Sequence, residues 1–213
     1  MKIINPRYKI KTELQGEDIL RRIEKIGRVC YKSEDKITDE SSKKFVQMLI
    51  DREHEAMIEH ESITVRFVCD RGVSHELVRH RLASFAQEST RYCNYSKDKF
   101  GNELTVIDIA TGFKYDAENA RDALKWNAWF FAMESAEKQY FRMLELGATP
   151  QEARSVLPNS LATEVVVTAN LREWRNILKL RTAKESHPQM RELMVPLLAE
   201  FKELIPVIFD DIN

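Results

Sequence analysis

Four basic side chains, Arg79, His80, Arg81 and Arg91, crowd into RHRLASFAQESTRY at 79–92, with Glu88 as the one acid among them. A solvated helix face normally intersperses acids, because i,i+4 ion pairs stabilise it. The imbalance therefore asks for an anionic partner. Arginine binds phosphate oxygens bidentately, and hydroxyls and backbone N–H groups complete such a shell. Gln87, Ser89, Thr90 and Arg91 offer those groups in one short run. A polar surface loop would carry the same residue types, and for the basic triplet alone exposure is the commoner state. Ser89 as a nucleophile would need a positioned base, which the sequence does not identify.

The segment HEAMIEH, 54–60, suggests metal chemistry at first sight. A zinc-binding helix needs histidines at i and i+4, which share a face. His54 and His60 are six apart, about 240° around a helix, and point away from each other. No metal site is expected; each histidine is structural or meets an aromatic or anionic ligand. Arg154 follows the capping sequence TPQE just inside a predicted helix, where the dipole favours an anion and a cation is locally mismatched. Arg181 closes NLREWRNILKLR, where pairing with a helix C-terminus is the simplest role.

The elements that must position these residues follow from periodicity. Ile19, Leu20, Ile23, Ile26 and Cys30 predict a helix after a first strand, and Phe45, Met48 and Leu49 a second within 40–53. ESITVRFVCD alternates as a half-buried strand, with Ile63, Val65, Phe67 and Cys69 inward. A helix is predicted from near Ser74, anchored by Val78, Leu82 and Phe85; it would splay Arg79, His80 and Arg81 about 100° apart. Such a splayed triplet suits a crowded junction, such as a site between subunits. The stretch 93–103 reads as a loop and LTVIDI as a strand. Leu124, Trp129, Met133, Ala136, Tyr140 and Leu144 stripe a long helix over 117–146, with Gly147 at its C-cap. Thr149-Pro150-Gln151-Glu152 is a capping box with Pro at N1. TEVVVTAN is a strand, Asn170 and Glu173 cap the next helix, and Pro196 should kink or split the last one.

The 213 residues suit one α+β domain spanning 1–213, and 43% hydrophobic residues can bury a real core. Lys+Arg of 33 against Asp+Glu of 34 lacks the basic excess of a general nucleic-acid binder. Cys30, Cys69 and Cys93 are odd in number and lack CxxC spacing, which fits free thiols in a reducing compartment. The N-terminus has no signal-peptide core and no run reaches spanning length. A cytoplasmic protein with no membrane partner is expected.

Taken together, Arg79-His80-Arg81 followed at fixed distance by Ser89-Thr90-Arg91-Tyr92, with HEAMIEH upstream and ARSVLP and NLREWRNILKLR downstream, resembles the flavin-dependent thymidylate synthases. The likeness covers roughly residues 15–200, with 93–145 matching loosely. It implies a single mixed α/β domain, an antiparallel sheet with long helices, in a homotetramer whose active sites form between subunits. It implies reductive methylation of dUMP to dTMP with FAD as cofactor, NADPH as reductant and 5,10-methylenetetrahydrofolate as carbon donor, releasing tetrahydrofolate. No cysteine nucleophile is required.

By motif position, the resemblance assigns His54, Arg79, His80, Arg81, Gln87, Asn170, Leu171, Arg172 and Asn176 to FAD. It assigns Glu76, Arg79, Gln87, Ser89, Arg91, Arg154 and Arg181 to dUMP, with Arg181 catalytic, polarising the uracil carbonyl and amide. Two positions depart from the pattern. Glu76 stands where the family often carries Gln, and a carboxylate near dUMP is unfavourable unless an adjacent Arg pairs with it. Ala56 replaces a common hydroxyl residue and is not counted as a ligand. The competing reading is a non-catalytic RNA- or nucleotide-binding module using residues 79–91 as a backbone patch, marked by steep salt dependence.

Overall fold

The computed structural model describes residues 1–97 and 101–212. The expected mixture of an antiparallel sheet and long helices is what the chain adopts. Its strands are β1 (Lys2–Ile4), β2 (Arg7–Ile10), β3 (Ser62–Asp70), β4 (Ala83–Gln87), β5 (Thr105–Ile107) and β6 (Ala162–Asn170). Its helices are α1 (Gly16–Tyr31), α2 (Ser41–Asp51), α3 (Arg71–Leu77), α4 (Ala110–Phe113), α5 (Ala120–Glu145), α6 (Pro150–Ala153), α7 (Leu171–Thr182) and α8 (Pro188–Leu204). The main sheet runs β2-β3-β6-β4, while β1 and β5 form a separate pair in parallel register, Ile3 opposite Val106. The chain divides into two compact units, and β3 and β6 contribute residues to both.

The first unit comprises Met1–Arg7, Phe67–Arg79 and Phe85–Val166. Its apolar cluster is Tyr95, Leu104, Tyr140, Ala153 and Leu161, with Phe141, Met143 and Leu144 packed against it. Helix α5 starts at Asn119, whose side chain accepts from the N–H groups of Arg121 and Asp122. It ends at Gly147, whose φ of +89° only glycine adopts without strain. There the Ala148 N–H reaches the Met143 carbonyl and the Gly147 N–H the Leu144 carbonyl, a Schellman ending. The predicted stripe holds at Met133 and Tyr140 but not at Leu124, which is 69% exposed. A stripe read from period alone cannot tell which end of a long helix leaves the core. Of the 93–103 stretch read as a loop, residues 98–100 lie outside the described residues; the rest holds no helix or strand.

The second unit comprises Tyr8–Arg66, His80–Ser84 and Val167–Asn213. Helix α1 buries Ile19, Leu20 and Ile23 and packs on α2, which buries Phe45 and Leu49, as the spacing predicted, whereas Cys30 at the end of the predicted stripe is exposed. Gly16 opens α1 where an added Cβ would lie 2.2 Å from the Leu204 carbonyl oxygen, so no larger residue fits. Helix α7 packs on α8 through Trp174, which is fully buried and edge-on to Phe201 with centroids 5.6 Å apart. The indole N–H donates to the Ile63 carbonyl at 2.9 Å, which satisfies the polar atom that burial would otherwise penalise. Pro196 does not split α8, which runs through it as one helix. Thr64 Oγ1 lies 2.9 Å from Thr168 Oγ1, tying β3 to β6 on the half-buried face.

Candidate active site

The basic triplet is not helical. Asp70 caps α3 by accepting from the Val73 N–H at 2.6 Å, so the helix starts at Arg71, before Ser74, and it stops at Leu77. Val78 and Leu82 are 40% and 74% exposed, and Phe85 sits on β4. The three apolar residues that suggested a helical anchor are instead split between a turn and a strand. Short apolar sets fit either period, and here the sheet prevails. Arg79 and Arg81 are exposed on the turn while His80 between them is buried. The helical splay expected of the triplet gives way to an alternation, two exposed arginines about one buried histidine.

In the second unit, His80 is held on both ring nitrogens. Nδ1 lies 3.3 Å from Glu173 Oε1, and Arg181 Nε donates to Nε2 at 3.1 Å. A guanidinium can only donate, so Nε2 must be the unprotonated nitrogen. Burial, the Arg181 charge and, in the opposite sense, Glu173 set the imidazole pKa, and together they lower it below 6.5. The ring is therefore neutral at neutral pH, with its one proton on Nδ1 aimed at Glu173. Glu173 is itself buried and also lies 3.3 Å from Asn176 Nδ2. Its backbone N–H is capped by the Asn170 side chain at 2.9 Å, as the sequence predicted. The carboxylate, read only as part of that cap, in fact serves His80 and Asn176.

The depressed pKa has a consequence for stability. Between the folded-state pKa and 6.5 the unfolded chain binds a proton that the folded chain does not, so stability falls as pH drops through that window. Unfolding measured from about pH 7 to pH 5 should show this slope, and His80→Gln should flatten it. Equal slopes in the two proteins would mean that another group sets the dependence.

On the same helix, Asn170, Arg172, Glu173 and Asn176 line a cleft of ≈ 450 Å³ together with Glu55 and Glu59. Arg172 donates to Glu59 at 2.5 Å and lies 3.5 Å from Glu55. The buried Arg175 donates to Glu55 at 2.9 Å, to Asp211 at 2.6 and 2.8 Å, and to the Ile208 carbonyl. Leu171 is fully buried with its N–H on the Glu61 carbonyl, so its observed place is the core. His54 is exposed, its Nδ1 2.9 Å from the Tyr31 hydroxyl. Glu55–His60 form a 3-10 turn with His54 at its N-cap, so the 240° separation expected of an α-helix does not apply to His54 and His60.

The first unit carries the other predicted residues. Gln87 directs Nε2 to Ser74 Oγ at 2.9 Å and Thr163 Oγ1 at 3.4 Å. Ser89 is half-buried and opens a turn, its carbonyl accepting from Tyr92 and Cys93. Arg91 is exposed with its guanidinium carbon 5.2 Å from the Tyr92 ring centroid. Glu76 is half-buried on α3. The capping box at Thr149 and Glu152 forms as predicted, but α6 lasts one turn. Arg154 thus stands exposed at its C-cap, where a cation is favoured; the predicted dipole mismatch is absent.

Sequence reasoning missed Glu173 as anything beyond a cap, weighed Glu55 only with His54 and His60 as a remote metal-hydrolase set, and passed over Glu59 and Arg175. Spacing held a hint: Glu173 and Arg181 are eight apart, about 80° on a helix, and so share a side of α7.

Among solved structures the chain superposes on a UMP/dUMP methylase PolB from Streptomyces cacaoi bound with 5-Br dUMP. The TM-score is 0.79 at 24% identity, over 99% of this chain and 96% of that one, a likeness of fold. Residues 14–207 match the family described as thymidylate synthase complementing protein. Flavin-dependent thymidylate synthases from Corynebacterium aurimucosum and Geobacter sulfurreducens are 32% and 30% identical to it. The alignments cover 90% and 87% of this chain and 79% and 78% of theirs. The enzyme from Pyrococcus abyssi is 32% identical over 82% of this chain and 69% of its own. The fold is thus that of a mixed α/β enzyme with methyltransferase relatives. The chain belongs to the flavin-dependent thymidylate synthase family.

Proposed function

We propose that this chain reductively methylates dUMP to dTMP, drawing the carbon from 5,10-methylenetetrahydrofolate and releasing tetrahydrofolate. Bound FAD, reduced by NADPH, supplies the hydride. The observation that carries the reading is the anchored guanidinium of Arg181, held at Nε by a buried neutral imidazole. A fixed cation facing the uracil carbonyl stabilises the enolate-like ring, in which C5 is nucleophilic, without reorganising during the reaction. In this reading the guanidinium, oriented through its Nε contact to His80, meets the edge of the ring.

Arg79, Ser89, Arg91 and Arg154 hold dUMP chiefly through its phosphate, and Gln87 offers Oε1 as an acceptor. Glu76 borders the nucleotide and needs a cationic neighbour to be tolerated there. Three cations on exposed side chains, Arg79, Arg91 and Arg154, support a doubly charged ligand. For the flavin, the α7 cleft fits part of a dinucleotide: Arg172 supplies charge and Asn176 an amide, and an incoming phosphate exchanges against Glu59. His54, Arg79, Arg81, Asn170 and Leu171 complete that surface by motif position. His80, with both nitrogens engaged, offers the cofactor only its ring carbons.

The working form in this reading is a cytoplasmic homotetramer of one-domain chains, with sites shared between subunits. Support comes from α5, which buries only Met133 and Tyr140 among its residues and leaves Leu124 and Phe131 69% and 63% exposed. The visible absorption spectrum tests the reading, recorded before and after adding FAD and then dUMP. A flavin band that shifts with dUMP is expected. No band with FAD supplied would move the non-catalytic binding module to the front.

A further inference from the structure

We propose that Glu173 is a positioning residue that, through His80, sets the orientation of the Arg181 guanidinium; the inference rests on the role proposed for Arg181. The chain of contacts is continuous and buried at its Glu173 and His80 end. Glu173 and His80 are 6% and 7% exposed, and Arg181 is half-buried at the end of the same helix. Each link has one polarity. Arg181 Nε–H can only donate, so Nε2 of His80 accepts; the ring proton then sits on Nδ1 and can only be received by Glu173. A carboxylate accepts and never donates when ionised, so Glu173 selects the one tautomer of His80 that can hold Arg181.

Geometry on α7 gives the arrangement its rigidity. Glu173 stands in the first turn and Arg181 in the last, and His80 spans the distance between their side chains. Asn176 donates to both Glu173 oxygens at 3.3 Å, which restricts rotation of the carboxylate. The Asn170 cap fixes the Glu173 backbone. Without the acceptor at 173, the imidazole is free to move its proton to Nε2. Two N–H groups would then face each other, and the contact that orients Arg181 through Nε would be lost. A planar fork that must face one edge of a ring loses its function with modest rotation, whereas a point charge would not.

The test combines imidazole 15N shifts of histidine-labelled protein with steady-state kinetics. In the wild type at neutral pH, His80 should show protonated Nδ1 and unprotonated Nε2, a readout that needs no turnover. Glu173→Leu should shift the ring toward the Nε2–H tautomer. It should lower kcat at least about 10-fold while the dUMP-induced flavin shift saturates at nearly the wild-type concentration. Glu173→Gln keeps an acceptor and should recover most of the rate. His80→Gln, whose amide accepts from Arg181 and donates to Glu173, should keep more of kcat than His80→Leu when both are saturated with FAD. A wild-type Nε2–H tautomer would overturn the proposal, as would full activity in Glu173→Leu or equal damage from Leu and Gln at 173. Should Glu173→Leu fail to fold, the wild-type tautomer and the order of the two His80 variants decide the question, and equal rates in both would overturn the proposal. A wild type that makes no dTMP would refute the proposed reaction while leaving the tautomer test of the tether intact.

Discussion

Arg181→Lys should lower kcat by about 10²–10³-fold, the usual cost of losing one preorganised donor at a site of developing charge. Dimensions and donor count explain why. Arginine donates from Nε to His80 at 3.1 Å and carries its other N–H donors in the same rigid plane. Lysine has one ammonium, which either takes the His80 acceptor or meets the uracil edge, but not both in a fixed plane. Charge is kept, so dUMP should still perturb the flavin spectrum at concentrations within a few-fold of wild type. That split between binding and turnover is the informative result. A Lys variant that turns over like wild type would make Arg181 a structural residue and remove the centre of the proposed mechanism. Equal losses in binding and rate would assign it to phosphate or ring binding alone.

Arg91→Ala should raise the dissociation constant for dUMP by roughly 10- to 150-fold, from about 1.5–3 kcal/mol for a charge-assisted hydrogen bond. Arg91 is exposed and its ring neighbour, Tyr92, is 77% exposed, so the substitution leaves the core untouched. Thermal stability should hardly change. Titration with dUMP and with deoxyuridine separates the phosphate from the base. The variant should bind deoxyuridine as the wild type does and lose its preference for the phosphorylated ligand. A preserved preference would move the phosphate elsewhere, with Arg154 next in line because it is exposed at the end of a one-turn helix.

Both expectations lean on residues that the sequence singled out, yet the sequence placed them unevenly well. Elements with dense local signals came out as read. The alternation of β3 and β6, the caps at Asn170 and Thr149, and the Gly147 ending of α5 all depend on residues within a few positions of one another. The segment from Ser74 to Phe85 came out differently. Val78, Leu82 and Phe85 satisfy a helical period, but Asp70 starts the helix early and the β-sheet claims 83–87. Competition between two periods is settled by which partner surface exists, and no window of sequence contains that surface.

The sequence by itself determined the kind of protein this is: the paired Arg-His-Arg and Ser-x-Arg-Tyr elements, the balanced charge, and the caps and periods that lay out strands and helices. It also singled out His80 and Arg181 one by one. Only the tertiary structure decided that they act together. They are 101 residues apart in the chain and meet at 3.1 Å, with Glu173 buried on the other side of the ring. Side-chain type reports what a residue can donate or accept. Which donor meets which acceptor, and which proton is thereby fixed, follows from packing that excludes water from the imidazole and the carboxylate. That exclusion is a property of the folded chain, and it is what turns a capping glutamate and a motif histidine into a support for one arginine.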